Sequence, residues 1–477
     1  MIKGLPAYAD YRPSGIPWLG YDIPTHWTRR KLRSLFARQG SGTTPSGNHH
    51  YNGPVCWVMS GDLNDGILSA TKRTVKTSTP LNVPSLRVYP TKSLVVAMYG
   101  ATIGRASILS VPACTNQACA AFADPNDDCN VKYVHHVVVT ARSYLVQQAY
   151  GGGQPNINAH VLCSLPVPLP PPDEQAAIVR FLDWATRRVD RAIRAKRRLV
   201  ALLTEQKQAI IHRAVTQGLD PSVPMKASGI PWLGEIPAHW EVRRIGAFAR
   251  VGNGSTPARS NPSYWRGGHY PWLNSSQVHR GVIGSADQFV TTRALAECHL
   301  PRLSYGAVLI AITGQGKTRG TAAILAMDAT INQHIAYIIP SGSIVSSAYL
   351  QSYLQASYVA LRAMSEDAGS TKGAITCRDL KSFGIAVPPM SQQAAIVAHL
   401  DDATAGINST IERTQRQIGL LREYRARLVA DVVTGKLDVR AFAETLPDEA
   451  PDDIEAVEAD VDEDADDDET GDGADEG

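Results

Sequence analysis

One stretch of this chain occurs twice, and the repeat limits what the chain can fold into. Residues 165–183 read Leu-Pro-Val-Pro-Leu-Pro-Pro-Pro-Asp-Glu-Gln-Ala-Ala-Ile-Val-Arg-Phe-Leu-Asp. Residues 383–401, 218 positions later, read Phe-Gly-Ile-Ala-Val-Pro-Pro-Met-Ser-Gln-Gln-Ala-Ala-Ile-Val-Ala-His-Leu-Asp. Each copy spells a strand, a proline stop and a helix start. Proline fixes φ and removes a donor, so it ends the extended run. Asp173 and Ser391 stand where an N-cap is expected.

Each copy continues into a proline-free run of roughly 40 to 45 residues, about 65 Å as a helix. In the first, Ile178, Leu182, Ala185, Val189, Ala192, Lys196, Leu199, Leu203, Gln206 and Ile210 alternate by four and three, which is a heptad seam. In the second, Ile396, Leu400, Ala403, Ile407, Ile411, Thr414, Ile418, Leu421, Arg425, Leu428 and Val432 form a seam with one stutter. Helices this long with one apolar stripe need a partner, and the nearest is the other copy.

The formal charge of +2 hides an asymmetry. Residues 443–477 hold 18 Asp and Glu and no Lys or Arg, so the rest sets 47 basic against 27 acidic residues. A body that basic suits a polyanion, and the acidic end reads as a disordered tail that could compete for the same surface. There is no long apolar run and no signal-peptide pattern at the N-terminus, so a cytoplasmic protein is expected. The seven cysteines are scattered without a Cys-x-x-Cys pair, which reads as reduced thiols and no zinc site.

Other segments repeat in the same order. Residues 14–20 (Ser-Gly-Ile-Pro-Trp-Leu-Gly) and 23–27 (Ile-Pro-Thr-His-Trp) return at 228–234 and 236–240. They read as proline-stiffened straps with tryptophans to bury, and His26 and His239 as packing or hydrogen-bonding residues. The loop at 40–45 (Gly-Ser-Gly-Thr-Thr-Pro) is matched at 252–257 (Gly-Asn-Gly-Ser-Thr-Pro). Its hydroxyls and amides suit phosphate oxygens. Apolar runs at 93–108 and 306–324 bracket glycine-rich turns and predict hairpins. A polar loop precedes each proline stretch, at 151–158 and 369–373.

Two motifs mislead. Residues 311–318 (Ala-Ile-Thr-Gly-Gln-Gly-Lys-Thr) nearly match a phosphate-binding loop, but Ala311 replaces the first glycine and a returning strand is expected where a helix is needed. Residues 261–264 (Asn-Pro-Ser-Tyr) approach a methyltransferase motif and read as a turn. No paired carboxylates, metal cluster or nucleophile with a base emerges.

In order and in duplicate, these motifs resemble the specificity (S) subunit of type I restriction-modification enzymes over residues 14–440. The resemblance implies an α+β chain with a pseudo-twofold repeat. Two mostly-β target-recognition domains, 1–170 and 218–389, are separated by long helices, 171–217 and 390–437. In that resemblance the helices pack as an antiparallel intramolecular coiled coil, while the acidic disordered tail, 438–477, is read from composition and lies outside the family pattern. The resemblance further implies a sequence-specific, non-catalytic subunit that reads a bipartite, asymmetric double-stranded DNA target. The helices set the spacer and dock two methyltransferase (M) and two restriction/translocase (R) subunits. S-adenosylmethionine, ATP and magnesium belong to those partners, and the chain itself takes no cofactor, metal or membrane. Two rigid β-domains on a basic body fit major-groove sites roughly 34 Å apart. Side chains at loop tips are the expected DNA contacts: Thr43, Thr44, Arg105, Gln154 and Asn156, then Ser255, Thr256, Gln315, Lys317, Arg319 and Lys372. The alternatives are a nucleotide-binding enzyme using the 311–318 loop, and a coiled-coil adaptor without DNA binding.

Overall fold

The computed structural model describes residues 4–151, 155–314, 318–366 and 373–447. The chain divides into two compact units, residues 1–193 with 420–477, and residues 194–419. Each unit holds one β-rich domain, the start of one long helix and the end of the other.

In the first unit a five-stranded sheet runs Phe36–Ser41, Cys119–Pro125, Leu94–Ala97, Ala106–Leu109, Ile67–Leu68. All pairs are antiparallel except the last. The second unit repeats it as Ala249–Asn253, Ile335–Pro340, Val308–Ala311, Ala322–Leu325, Val282–Ile283, with the same exception. A three-stranded sheet accompanies each: Ala113–Thr115, Tyr51–Val58 and Thr74–Val75, matched by Thr330–Ile331, Tyr270–Leu273 and Gln288–Val290. The predicted hairpins are present, with Leu94 opposite Ile108 and Val308 opposite Ile324. The central strands are buried on both faces, which is why they read as unbroken apolar runs.

The strand–proline–helix junction forms as the repeat predicts. Pro166–Leu169 pairs with Thr28–Lys31, and Gly384–Val387 with Glu241–Arg244. The long helices span Pro172–Gln217 and Met390–Val433. Asp173 and Ser391 therefore lie inside the first turn, not at the N-cap. The carbonyls of Pro171 and Pro389 take the first helical bonds, from Gln175 at 3.0 Å and Gln392 at 2.9 Å. Proline is tolerated here because an early helical N–H has no partner inside the helix.

The straps explain the residues that follow the prolines. Glu174, buried at the start of the first helix, accepts from Trp27 Nε1 at 2.9 Å and Tyr8 Oη at 2.6 Å, and meets His26 Nε2 at 2.7 Å. Gln392 does the same for the second helix, meeting His239 Nε2 at 3.0 Å and accepting from Trp240 Nε1 at 2.8 Å. The adjacent glutamines tie helix to domain. Gln175 bonds Asn130 N, Asp128 O and Pro170 O. Gln393 bonds Ser346 N, Ile344 O and Pro388 O.

Each unit also grips the end of the other helix. Tyr133 Oη donates to Pro168 O and to Val433 O, 2.7 and 3.0 Å away. Tyr349 Oη donates to Ala386 O and Val215 O, at 2.9 and 3.2 Å. Gly435 and Gly218 close the helices with φ of +80° and +77°. A side chain on Gly435 would strike Pro24 and Trp27; one on Gly218 would press on Trp240. The start of one helix thus lies beside the end of the other within each unit, an antiparallel pairing. Arg425 reaches Asp190 at 2.5 Å in the first unit, and Lys196 reaches Gln417 at 2.7 Å in the second.

Two expectations are corrected. Beyond Val189 the first helix's inward face runs through Ile193, Val200, Leu203, Lys207 and Ile211, while Leu199 is 42% exposed and Gln206 is exposed. A helix of 3.6 residues per turn drifts about 20° per heptad against a 3.5 repeat, so the seam slips. Second, residues 438–447 belong to the fold, not to a tail. Arg440–Glu444 is a short helix whose Phe442 packs on Phe181 and Trp184, with Val439, Ala443 and Leu446 buried. The acidic residues beyond 447 lie outside the described residues.

Candidate nucleic-acid interface

At one end of each five-stranded sheet, polar loops come together. The Gly-x-Thr-Pro loop follows the edge strand, Phe36–Ser41 or Ala249–Asn253. It needs its glycine because a Cβ at Gly42 would run into the Thr115 carbonyl, and one at Gly254 into that of Ile331. Two aromatic polar atoms then suspend it. Trp57 Nε1 donates to Thr43 O at 3.2 Å and Tyr51 Oη to Pro45 O at 2.8 Å. Trp272 Nε1 donates to Ser255 O and Trp265 Nε1 to Ala258 O, both at 3.1 Å. The threonine hydroxyl is fixed as well. Thr44 Oγ1 donates to Gln117 Oε1 at 2.8 Å, and Thr256 Oγ1 to Gln333 Oε1. Each glutamine sits in an Asn-Gln turn held by its own asparagine, Asn116 or Asn332.

The third component differs. In the first domain the turn Gly100–Thr102 leads to exposed Arg105, and Gly100 N bonds Pro155 O at 2.8 Å. Tyr99 bridges Asn156, which pairs with Tyr150 through its backbone. Tyr99 and Tyr150 are 38% and 54% exposed, an uncommon investment of aromatic surface. In the second domain Thr313 Oγ1 meets His334 Nδ1 at 2.7 Å, and burial pushes the His334 pKa down. One link is shared: Ile375 N bonds Ile312 O at 2.8 Å, as Ile157 N bonds Met98 O at 2.9 Å in the first domain, joining the last loop to the hairpin.

The predicted contacts distribute unevenly. Thr43, Thr44 and Asn156 share one cluster, and Arg105 stands exposed at the same hairpin. Ser255 and Thr256 occupy the matching loop. Arg319 is only 5% exposed and gives Nη1 to Gly373 O at 2.5 Å, so it braces the last loop from beneath. Gln154, Gln315, Lys317 and Lys372 lie outside the described residues. Sequence reading missed Gln117 and Gln333 as site residues, although Thr115-Asn-Gln117 and Ile331-Asn-Gln333 repeat in plain view. It also missed Arg73 and Arg259, which stack on the loop-bearing rings.

The near phosphate-binding loop forms no phosphate cradle around its described residues. Val308–Ala311 returns as antiparallel Ala322–Leu325, with Gly320 N bonding Ala311 O, and no helix begins among the described residues between them. Asn261 caps the single turn Pro262–Trp265 through its own side chain. Among the described residues there is no cluster of three metal-ligating side chains, and no helix is long and apolar enough to cross a membrane.

Duplicated polar loops on two like domains, each domain latched to both long helices, define a two-domain recognition architecture. The family profile described as the type I restriction modification DNA specificity domain matches residues 24–197 and 237–419. The MjaIX specificity subunit of a type I restriction enzyme from Methanocaldococcus jannaschii is 23% identical over 433 residues, covering 87% of this chain and 95% of that one. The EcoKI specificity subunit of Escherichia coli is 22% identical over 214 residues, 43% of this chain and 44% of its own. A chain solved in work on complex assembly and conformational transition of the type I R-M system has the same fold. Its TM-score is 0.60 at 17% identity, with 87% of this chain and 100% of that chain covered. The chain belongs to the type I restriction-modification DNA specificity family and is a specificity subunit of such a system.

Proposed function

We propose that each β-rich domain reads one half of a bipartite, asymmetric sequence in double-stranded DNA. The observation that carries this reading is the pair of loop clusters: the same in how their Gly-x-Thr-Pro loops are braced, different in the third loop that would meet the bases. A common brace suits phosphates, which every sequence offers, and a divergent tip suits base edges, which differ. Thr43, Thr44, Arg105 and Asn156 serve the first half-site, and Gln154 is assigned to it from sequence alone. Ser255 and Thr256 serve the second, with Arg319 bracing Gly373; Gln315, Lys317 and Lys372 are assigned to it from sequence alone. The long helices set the number of unread base pairs and offer docking surface to two methyltransferase and two restriction subunits. The chain performs no chemistry itself and works in the cytoplasm with those partners.

Mapping methylated adenines in DNA from cells with and without the gene tests this. One split, asymmetric motif that loses methylation on deletion is expected. Unchanged methylation, or loss of a continuous palindrome, would overturn it.

A further inference from the structure

Both domains seat an exposed arginine on the aromatic pair that suspends the Gly-x-Thr-Pro loop. Arg73 lies 4.3 Å from the Tyr51 ring centroid and 5.5 Å from that of Trp57. Arg259 lies 4.0 Å from Trp265 and 5.0 Å from Trp272. The rings beneath meet edge to face in both domains, with centroids 5.5 and 5.2 Å apart. Trp57 and Trp272 are equivalent in the repeat, but the arginines are not: Arg73 follows its tryptophan in sequence and Arg259 precedes its own. The two domains therefore build one seat from different parts of their sequences. A shared demand, not inherited register, accounts for that.

The arrangement is poor as a mere brace. An exposed cation–π contact is a weak interaction. Neither arginine has an acidic partner among the described residues. Arg259 gives Nη2 to the neutral Gln288 Oε1 at 2.9 Å, and the Arg73 guanidinium has no hydrogen-bond partner among the described residues. Stacking fixes the guanidinium plane while leaving in-plane donors for a bidentate oxyanion. In the second domain Arg266 lines the same open hollow, beside Trp265 and Phe289. Two uncompensated, pre-oriented guanidinium groups, each beside a loop held in place by its Thr–Gln bond, match what both half-sites have in common.

We propose that Arg73 and Arg259 are phosphate clamps, one per half-site, that set affinity without reading sequence. This rests on the DNA-reading function above. The test uses the full chain assembled with its methyltransferase partner. The probes are a duplex carrying the mapped methylation motif and an unrelated duplex of equal length, each titrated with salt. Arg73→Gln and Arg259→Gln should each weaken binding to both duplexes by about 3- to 10-fold near 0.1 M salt. Each should also lower the salt slope by about 1, and the double variant by about 2. Arg→Lys should keep the slope, and the methylated motif should not change. A loss confined to one base position, or an altered motif, would make them base readers and overturn the proposal. An unchanged slope with a lowered melting temperature would make them braces and overturn it too. Failure of the unaltered assembly to bind either duplex is a separate result: it sinks the DNA-reading function and the clamp with it.

Discussion

The two halves of the chain agree where helix meets domain and part company at the loop tips. Trp27 and Trp240 donate to the same position of the repeat, Glu174 in one half and Gln392 in the other. Tyr133 and Tyr349 each bridge a domain strand to the end of the opposite helix. Against that, Tyr99–Asn156 has no like-for-like partner among the described residues of the second half, where Thr313 meets His334 and Arg319 meets Gly373. A latch must solve one mechanical problem twice, so its chemistry repeats. Under the proposed function a loop tip must solve two different problems, so its chemistry does not.

The strongest way to break this comparison is at the latch. Trp27→Ala and Trp240→Ala should each cost about 3–5 kcal/mol, because each removes a buried indole and leaves a cavity at a helix start. Denaturant unfolding checks it, and a loss in only one half would show that the latches are not equivalent. Acid should separate the halves next. Burial holds His135 below its ordinary pKa and pushes His136 down to about 3, on the helix Val131–Thr140. The matching helix, Ser347–Ala356, carries Gln351 and Ser352 there. Both histidines therefore take up a proton less readily in the fold than in the unfolded chain, where histidine titrates at about 6.5. Below that value the unfolded chain binds more protons, so stability falls as pH falls, by roughly 1.4 kcal/mol per unit for His136, with His135 adding to the loss in the same direction. Hydrogen exchange at pH 7.5 and 5.0 should show 131–140 losing more protection than 347–356. Equal losses would contradict the assignment. The smallest effect sharpens the comparison: Glu174→Gln imitates the second half and should cost about 1 kcal/mol or less. Glu174→Ala leaves Tyr8 and Trp27 unpaired and should cost about 1–3 kcal/mol, read from the same unfolding curves.

How far the sequence could be read follows the same division. The strand–proline–helix junction was legible because proline and apolar runs act locally, and duplication doubled a weak signal. The straps were legible as straps, but their target was not. Nothing near His26 or Trp27 in sequence points to Glu174, 147 residues from the tryptophan. The slipped seam beyond Val189 was hidden because a strict heptad and a straight helix differ by a drift that accumulates only with length. Phe442 was lost in the acidic composition of its neighbours, though its contact with Trp184 is at 5.2 Å. At the site, loops were legible through glycine, proline and repetition. Which side chains face outward was not, and Arg319, chosen as a contact, turns inward to Gly373.

The central claim is that the two domains read DNA independently. The direct test replaces residues 235–388 with the matching segment of another specificity subunit and maps methylated adenines in cells carrying the hybrid. One half of the methylated motif should change while the other half and the spacer stay as they were. A hybrid that alters both halves, or neither, would contradict it.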